Sequence, residues 1–327
     1  MISFSREEME DIGYAVYRAL LIAFREPEQS EPQLVANLVY ALSRKINGIS
    51  LSGTKTVSAG GVFVHSRPLV ACSSFPKTFP RSVEIGDLLL TRTLVVGGKV
   101  KERRALLLQA KKVSNIPAKP DNENQWHLYE QWPRFTYAAR SGGLTGKKRH
   151  IKEPDMYDAA KYLLIGQGSA VYRRYPCCIW PFHWHCCRPE TCRYHTAQPT
   201  APELGRYRCF ANELVEFIAG NAGKAFVKPR RRTLGWDRVI QDLIAETAKA
   251  KTIYTGRAMG NAAPAPRGNG VLFFSLATPT SFSLFGDDFS GGTTNSDGPP
   301  KVPSEWGDGN DGRGISIIEI VVERGEG

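Results

Sequence analysis

The chain has 327 residues, 42% of them hydrophobic and 23% charged, enough for one large or two modest folded domains and unlike a disordered chain. Its 43 Lys and Arg against 32 Asp and Glu leave a formal charge of +11, which favours a polyanionic partner through counterion release. No run reaches about 18 apolar residues, and the acidic opening MISFSREEMEDIG lacks the basic-then-apolar order of a secretory signal, so a cytoplasmic protein without a membrane span is expected.

Residues 5–24 read as an amphipathic helix: Ser5 and Glu8 make a capping box, and Met9, Ile12, Val16 and Leu20 fall on one face. A second helix opens at Ser30, with Pro32 in its first turn and Gln33 at the box position. Leu34, Leu38, Leu42 and Ile46 form its stripe, and Gly48 is its stop. The period then changes. GGVFVHS (60–66), SVEIGDLLLTRTLVV (82–96) and RRALLLQAKKV (103–113) are β-branched and aliphatic and predict strands, the last two joined as a hairpin through Gly97-Gly98. Residues 121–140 look helical until Pro133 breaks the pattern. AKYLLIGQ (160–167) reads as a buried strand, and ANELVEFIAG (211–220) and WDRVIQDLIAETAKA (236–250) as helices. Residues 286–314 are nearly devoid of aliphatic side chains and read as a flexible linker. GISIIEIVVE (314–323) is nevertheless a strand, expected to return to the main sheet. This order implies an α/β fold with a mixed central sheet flanked by helices. It divides into a core over 1–170, a Cys-, His- and aromatic-rich insertion at 171–200, a helical extension at 201–260, a Gly/Pro-rich linker at 261–313 and a last strand at 314–327.

ALLLQAKK (105–112) poses a chemical question, because a buried strand has no use for a lysine at its end. Side chains two apart on a strand share a face, so Gln109 and Lys111 point the same way. Asp87 interrupts the apolar run VEIGDLLL on the neighbouring strand, and a buried carboxylate must find a partner or a metal. If the two strands pair as a hairpin, Asp87, Gln109 and Lys111 converge. Mg²⁺ (or Mn²⁺) takes hard oxygen ligands, which Asp87, the Gln109 amide and the Ala110 carbonyl would supply. Lys111 would orient or help deprotonate a water and steady phosphate charge, and the product would be a phosphodiester cut. Taken singly, Lys111 is equally an edge lysine reaching solvent with Asp87 as its ion-pair partner.

Glu84-Ile85-Gly86-Asp87 followed, one hairpin later, by Gln109-Ala110-Lys111 resembles the PD-(D/E)xK nuclease superfamily over roughly residues 5–170. The resemblance implies a restriction-endonuclease-like fold, with Asp87 as the acidic residue, Gln109 in the Glu/Gln position and Lys111 as the lysine. It also implies a further acid on the helix ahead of the sheet, for which Glu31 stands in place. Gln125 and Tyr129 resemble the Q-x-x-x-Y element of the RecB-type branch, one turn apart on a shared helix face. Glu84 has the wrong strand parity unless Gly86 makes a bulge. The activity so implied is Mg²⁺-dependent cleavage of DNA, in a restriction or antiviral-defence setting, with a regulatory protein or a second copy as a further partner. Gln109 in place of Glu removes one charge from the site and leaves open a catalytically inactive nucleic-acid-binding or scaffolding subunit on the same fold.

Two further features carry chemistry. CCIWPFHWHCCRPETCRYH (177–195) crowds thiols and imidazoles, of which Cys186, Cys187, Cys192 and His195 would supply the N/S tetrahedron that structural Zn²⁺ prefers. A zinc-stabilised protein-interaction module is therefore a third reading, and a hydrophobic plug around buried thiols is its plain alternative. The basic runs at Lys147, Lys148 and Arg149 and at Lys228, Arg230, Arg231 and Arg232 fall in predicted loops. They are either solvated loop charge or contacts to a phosphate backbone, which give affinity without sequence choice.

Overall fold

The capping box at the start of the chain is formed. Ser5 Oγ accepts from the Glu8 amide at 3.2 Å and Glu8 Oε2 accepts from the Ser5 amide at 2.7 Å, opening helix α1 (Arg6–Ala23). The computed structural model describes residues 3–24, 29–64, 68–114, 118–119, 121–153, 156–166, 193–200, 203–227, 234–254, 271–275 and 314–325. Helix α2 (Glu31–Ile46) also begins where expected, but no box forms there: Ser30 makes no capping bond, and the Gln33 amide is taken by Asn37 Oδ1 at 2.8 Å. Asn37 in turn donates to the Ala23 carbonyl at 3.1 Å, so these polar groups tie α2 to the end of α1.

The strands are β1 (Ile49–Ser50), β2 (Lys55–Val64), β3 (Leu69–Ala71), β4 (Val83–Glu84), β5 (Leu88–Val96) and β6 (Lys99–Val113). Helix α3 (Glu123–Gln131) is followed by β7 (Phe135–Tyr137), β8 (Lys148–Arg149), β9 (Ala160–Gly166), β10 (Tyr194–Thr200) and β11 (Glu203–Cys209). Then come α4 (Phe210–Ala219), β12 (Lys224–Ala225), α5 (Gly235–Tyr254), β13 (Val271–Ser275) and β14 (Ser316–Arg324). The main sheet runs β1-β2-β14-β5-β6-β9-β10-β11, with β13 also on β2 and β12 also on β6; β4-β3-β7-β8 form a smaller sheet. The main sheet is mixed, since β14 runs parallel to β5 and β6 parallel to β9 while the other pairs are antiparallel.

Gly97 and Gly98, at φ 54° and 66°, turn β5 into β6 with Val96 opposite Lys99, the positive dihedrals a two-residue hairpin demands. The segment 82–96 is not one strand, however. Val83–Glu84 pairs with β3 in the small sheet, and the chain joins β5 only at Leu88. Gly86 permits that crossing, because a Cβ there would stand 2.8 Å from Leu107 Cδ1 and 3.1 Å from the Tyr129 hydroxyl.

Alternation along the strands builds two cores. Leu88, Leu90, Leu106 and Leu108 pack with Ile12, Leu38 and Phe217 of α1, α2 and α4 on one face. Leu89, Leu107 and Tyr162 pack with Tyr129 of α3, Val239 and Leu243 of α5 and Val70 and Tyr137 of the small sheet on the other. The stretch 201–260, expected as a helical extension, opens with a strand of the main sheet and continues into α4, which closes the first core. His195, expected as a zinc ligand, is buried in β10 between Leu164 and Cys209, and burial pushes its imidazole down to about 4. Cys186, Cys187 and Cys192 lie outside the described residues, as do Lys228, Arg230, Arg231 and Arg232 and nearly all of the linker. No helix among the described residues is long and apolar enough to cross a membrane.

Candidate active site

Register places the expected trio. Leu88 faces Leu108 across the β5–β6 ladder, so Asp87, one residue before the strand, falls opposite Gln109, and Lys111 follows two residues on along β6. All three project toward the face that carries Leu89 and Leu107. Asp87 Oδ2 accepts from the Ala110 amide at 2.8 Å and from Gln109 Nε2. Gln109 is fully buried, and its Oε1 has no hydrogen-bond partner among the described residues. Lys111 Nζ lies 3.8 Å from Asp121 Oδ1, a carboxylate that the sequence did not single out.

Two more acids arrive from other layers. Glu31, at the first turn of α2, accepts from the Lys112 amide at 2.9 Å and so reaches the end of β6. Glu84 comes from the small sheet, so strand parity never constrained it. A cavity of about 40 Å³ is bounded by Glu31, Glu84 and Asp87 together with Val64 of β2 and Ser316 of β14. That is room for an ion and very few waters. Helix α3 braces the loop that presents the acids: the Tyr129 hydroxyl donates to the Ile85 carbonyl at 2.9 Å and Gln125 Nε2 to the Glu84 carbonyl at 3.4 Å. Ser316 holds the opposite wall, its Oγ donating to the Val64 carbonyl at 2.9 Å.

The carboxyls crowd one another. Burial, then the nearby Glu84 and Glu31, push Asp87 well above the usual carboxylate range, and Lys111 and the Ala110 amide offset this only in part. Burial also raises Glu31, against the pull of Lys111 and the Lys112 amide. For Lys111 burial acts downward, but Glu31, Asp121, Asp87 and Glu84 outweigh it and keep the ammonium charged. Among the described residues no three His, Cys, Asp or Glu side chains are gathered as a ready chelate. The donor chemistry nonetheless fits Mg²⁺, which usually takes one or two carboxylates and keeps several waters. Here the carboxyls resist ionising together, and the Gln109 amide oxygen is buried without a donor among the described residues.

One consequence is measurable without any substrate. Asp87 titrates higher in the folded than in the unfolded chain, so folding favours its neutral form. The stability it contributes is fully present below the ordinary carboxylate range and is lost as pH rises through the elevated value. Asp87→Asn should therefore raise the melting temperature in EDTA at pH 8, at about 2–4 °C per kcal/mol recovered, and the gain should fade toward pH 4. Thermal melts of both proteins across pH check this; a lower melting temperature for the variant at pH 8 contradicts it.

The basic run at 147–150, expected as a loop, is partly β8. Arg149 is not free for a ligand, since its Nε lies 2.5 Å from Asp242 of α5 and its guanidinium sits over the Tyr137 ring. Lys147 and Lys148 are exposed. No family model, no curated protein and no solved structure matches the chain.

Proposed function

We propose that the chain is a metal-dependent nuclease of the PD-(D/E)xK type acting on DNA, on a restriction-endonuclease-like arrangement of its sheet and helices. The observation that carries this reading is that Asp87, Glu31 and Glu84 bound one small cavity while Gln109 and Lys111 stand beside Asp87 on the same face. Asp87 and one neighbouring glutamate would hold Mg²⁺, with the Gln109 amide oxygen as a further donor once the amide turns about its last side-chain bond. The ion, when bound, supplies Lewis-acid stabilisation of the phosphoryl group and a more acidic water. Lys111, held cationic by four carboxylates, steadies charge developing on the phosphate rather than taking a proton. Gln125 and Tyr129 do not meet substrate; they fix the backbone of Glu84 and Ile85 and so the position of the acids.

One observation favours a second reading. Gln109 Nε2 donates into the carboxylate expected to bind metal, which suits a site that holds its fold without an ion. That reading makes the chain a nucleic-acid-binding subunit without cleavage. Supercoiled plasmid incubated with the protein in Mg²⁺, Mn²⁺ or EDTA separates the two. Nicking in either metal and none in EDTA supports the nuclease; binding without nicking in every condition supports the subunit.

A further inference from the structure

The small sheet that brings Glu84 to the acidic cavity carries cations at its other edge. Glu84 pairs with Leu69 of β3; Ala71, two residues on, pairs with Thr136 of β7; and Thr136 pairs with Lys148 of β8. Paired residues share a face, and so do residues two apart. Glu84 and Lys148 therefore project from the same side of the sheet. Three strand spacings of about 4.8 Å and a two-residue offset of about 6.8 Å place them roughly 16 Å apart along that face.

At this far edge a groove of about 1070 Å³ opens between β7, β8 and the start of α5. Its charged lining is Arg134, Lys148, Arg149, Lys152 and Arg238 against the single carboxylate of Glu153. Asp242 engages Arg149 and Arg238, at 2.5 and 3.2 Å. Glu153 is turned onto amides, its oxygens accepting from Trp236 N and Lys152 N, each at 2.9 Å. Arg134, Lys148 and Lys152 are exposed and enter no ion pair among the described residues. These three come from two segments, Arg134 just ahead of β7 and Lys148 and Lys152 on and just after β8, spread along an open channel, an arrangement that follows a backbone rather than one that encloses a small anion.

We infer that this groove holds the phosphate backbone of a nucleic-acid duplex whose reacting bond lies at the acidic cavity. The inference rests on the nuclease reading for the position of that bond, whereas the binding itself does not. A separation of roughly 16 Å corresponds to about five base-pair steps at 3.4 Å each. The second set of phosphate contacts should therefore sit about five base pairs to one side of the cut.

The test uses the full chain with Arg134→Ala, Lys148→Ala and Lys152→Ala combined, beside a charge-matched control carrying Lys45→Ala, Lys99→Ala and Lys101→Ala, three exposed lysines elsewhere. Duplex binding in EDTA across salt concentrations is read first. The groove variant should bind about tenfold or more weakly, and its log–log salt slope should flatten by about 0.9 for each phosphate it no longer neutralises. The control should stay near wild type. Equal weakening in both variants, or none in the groove variant, overturns the inference, since net charge alone would then hold the duplex. Ethylation interference on the cleaved strand is read second. Wild type should show one cluster of sensitive phosphates at the cut and another about five base pairs away, the latter missing in the groove variant; a single cluster at the cut overturns the placement. Weaker binding by the groove variant, with no cleavage by wild type in any metal, would remove the nuclease reading and leave the groove.

Discussion

Asp87→Ala and Lys111→Ala are each expected to abolish Mg²⁺-dependent nicking of supercoiled plasmid while the fold is retained. Among the described residues Asp87 is the one carboxylate that touches both Gln109 and the Ala110 amide, so its loss removes the centre of the oxygen set. Lys111 is the cation among four carboxylates, and its removal leaves phosphate charge facing acids alone. Losing a single group that acts on transition-state charge commonly lowers kcat by about 10²–10³, and losing the metal-holding carboxylate should cost at least as much. Neither side chain holds the fold together: Asp87 is destabilised by its neighbours, and Lys111 stands at the partly exposed end of β6. Circular dichroism and thermal melts should show folded variants, the charge relief of Asp87→Ala being offset by the buried Gln109 and Ala110 donors it leaves unpaired. Wild-type rates in either variant would rule out this chemistry. Gln109→Glu sharpens the comparison, since it adds the charge that Gln withholds beside an already crowded Asp87. The variant should need Mg²⁺ to reach full stability and should bind the ion more tightly, whichever of the two functional readings holds.

What could be read from the sequence followed the range of the interactions that decide it. The capping box at Ser5 and Glu8 and the Gly97-Gly98 hairpin are local, and both form as read. Asp87, Gln109 and Lys111 were placed by parity along two adjacent strands, which needs only the hairpin register. Glu84 resisted the same logic because it is not in that strand: the chain leaves the small sheet at Glu84 and enters the main sheet at Leu88, and only the approach of Leu107 and Tyr129 shows why Gly86 lets it. Ser316 was invisible as a cavity wall, since its partner Val64 lies 252 positions away in the chain. Arg149 looked like an available cation because Asp242, which binds it, stands 93 positions further on, in helix α5. At Gln33 the local signal was outbid by Asn37, whose own bonds join two helices.

Removing residues 314–327 is expected to leave a chain that does not fold, a larger effect than the strand's place in the sequence suggests. An added edge strand would contribute a few kcal/mol, but β14 is not at an edge. It lies between β2 and β5, antiparallel to the first over Ile317–Arg324 and parallel to the second over Ser316–Arg324. Its absence would part the main sheet down the middle and leave the facing ladders of β2 and β5 without partners. Ile315, Ile317, Ile318, Ile320, Val321 and Val322 are all at most 5% exposed; Ile318, Ile320 and Val322 feed one core and Ile315 and Ile317 the other. At about 1.5–3 kcal/mol for each buried aliphatic side chain, their loss reaches or exceeds the ~5–15 kcal/mol by which a domain is usually stable. The truncated chain should be insoluble or lack a cooperative melt. A synthetic peptide of residues 314–327, added during refolding, should restore both if the strand acts by filling that gap. Ile318→Asp in the full chain, which keeps the backbone ladder and buries a charge, should destabilise severely without parting the sheet. A soluble truncation at residue 313 with a wild-type melting transition would show that β2 and β5 hold together without β14, and that the cavity wall at Ser316 is dispensable with it.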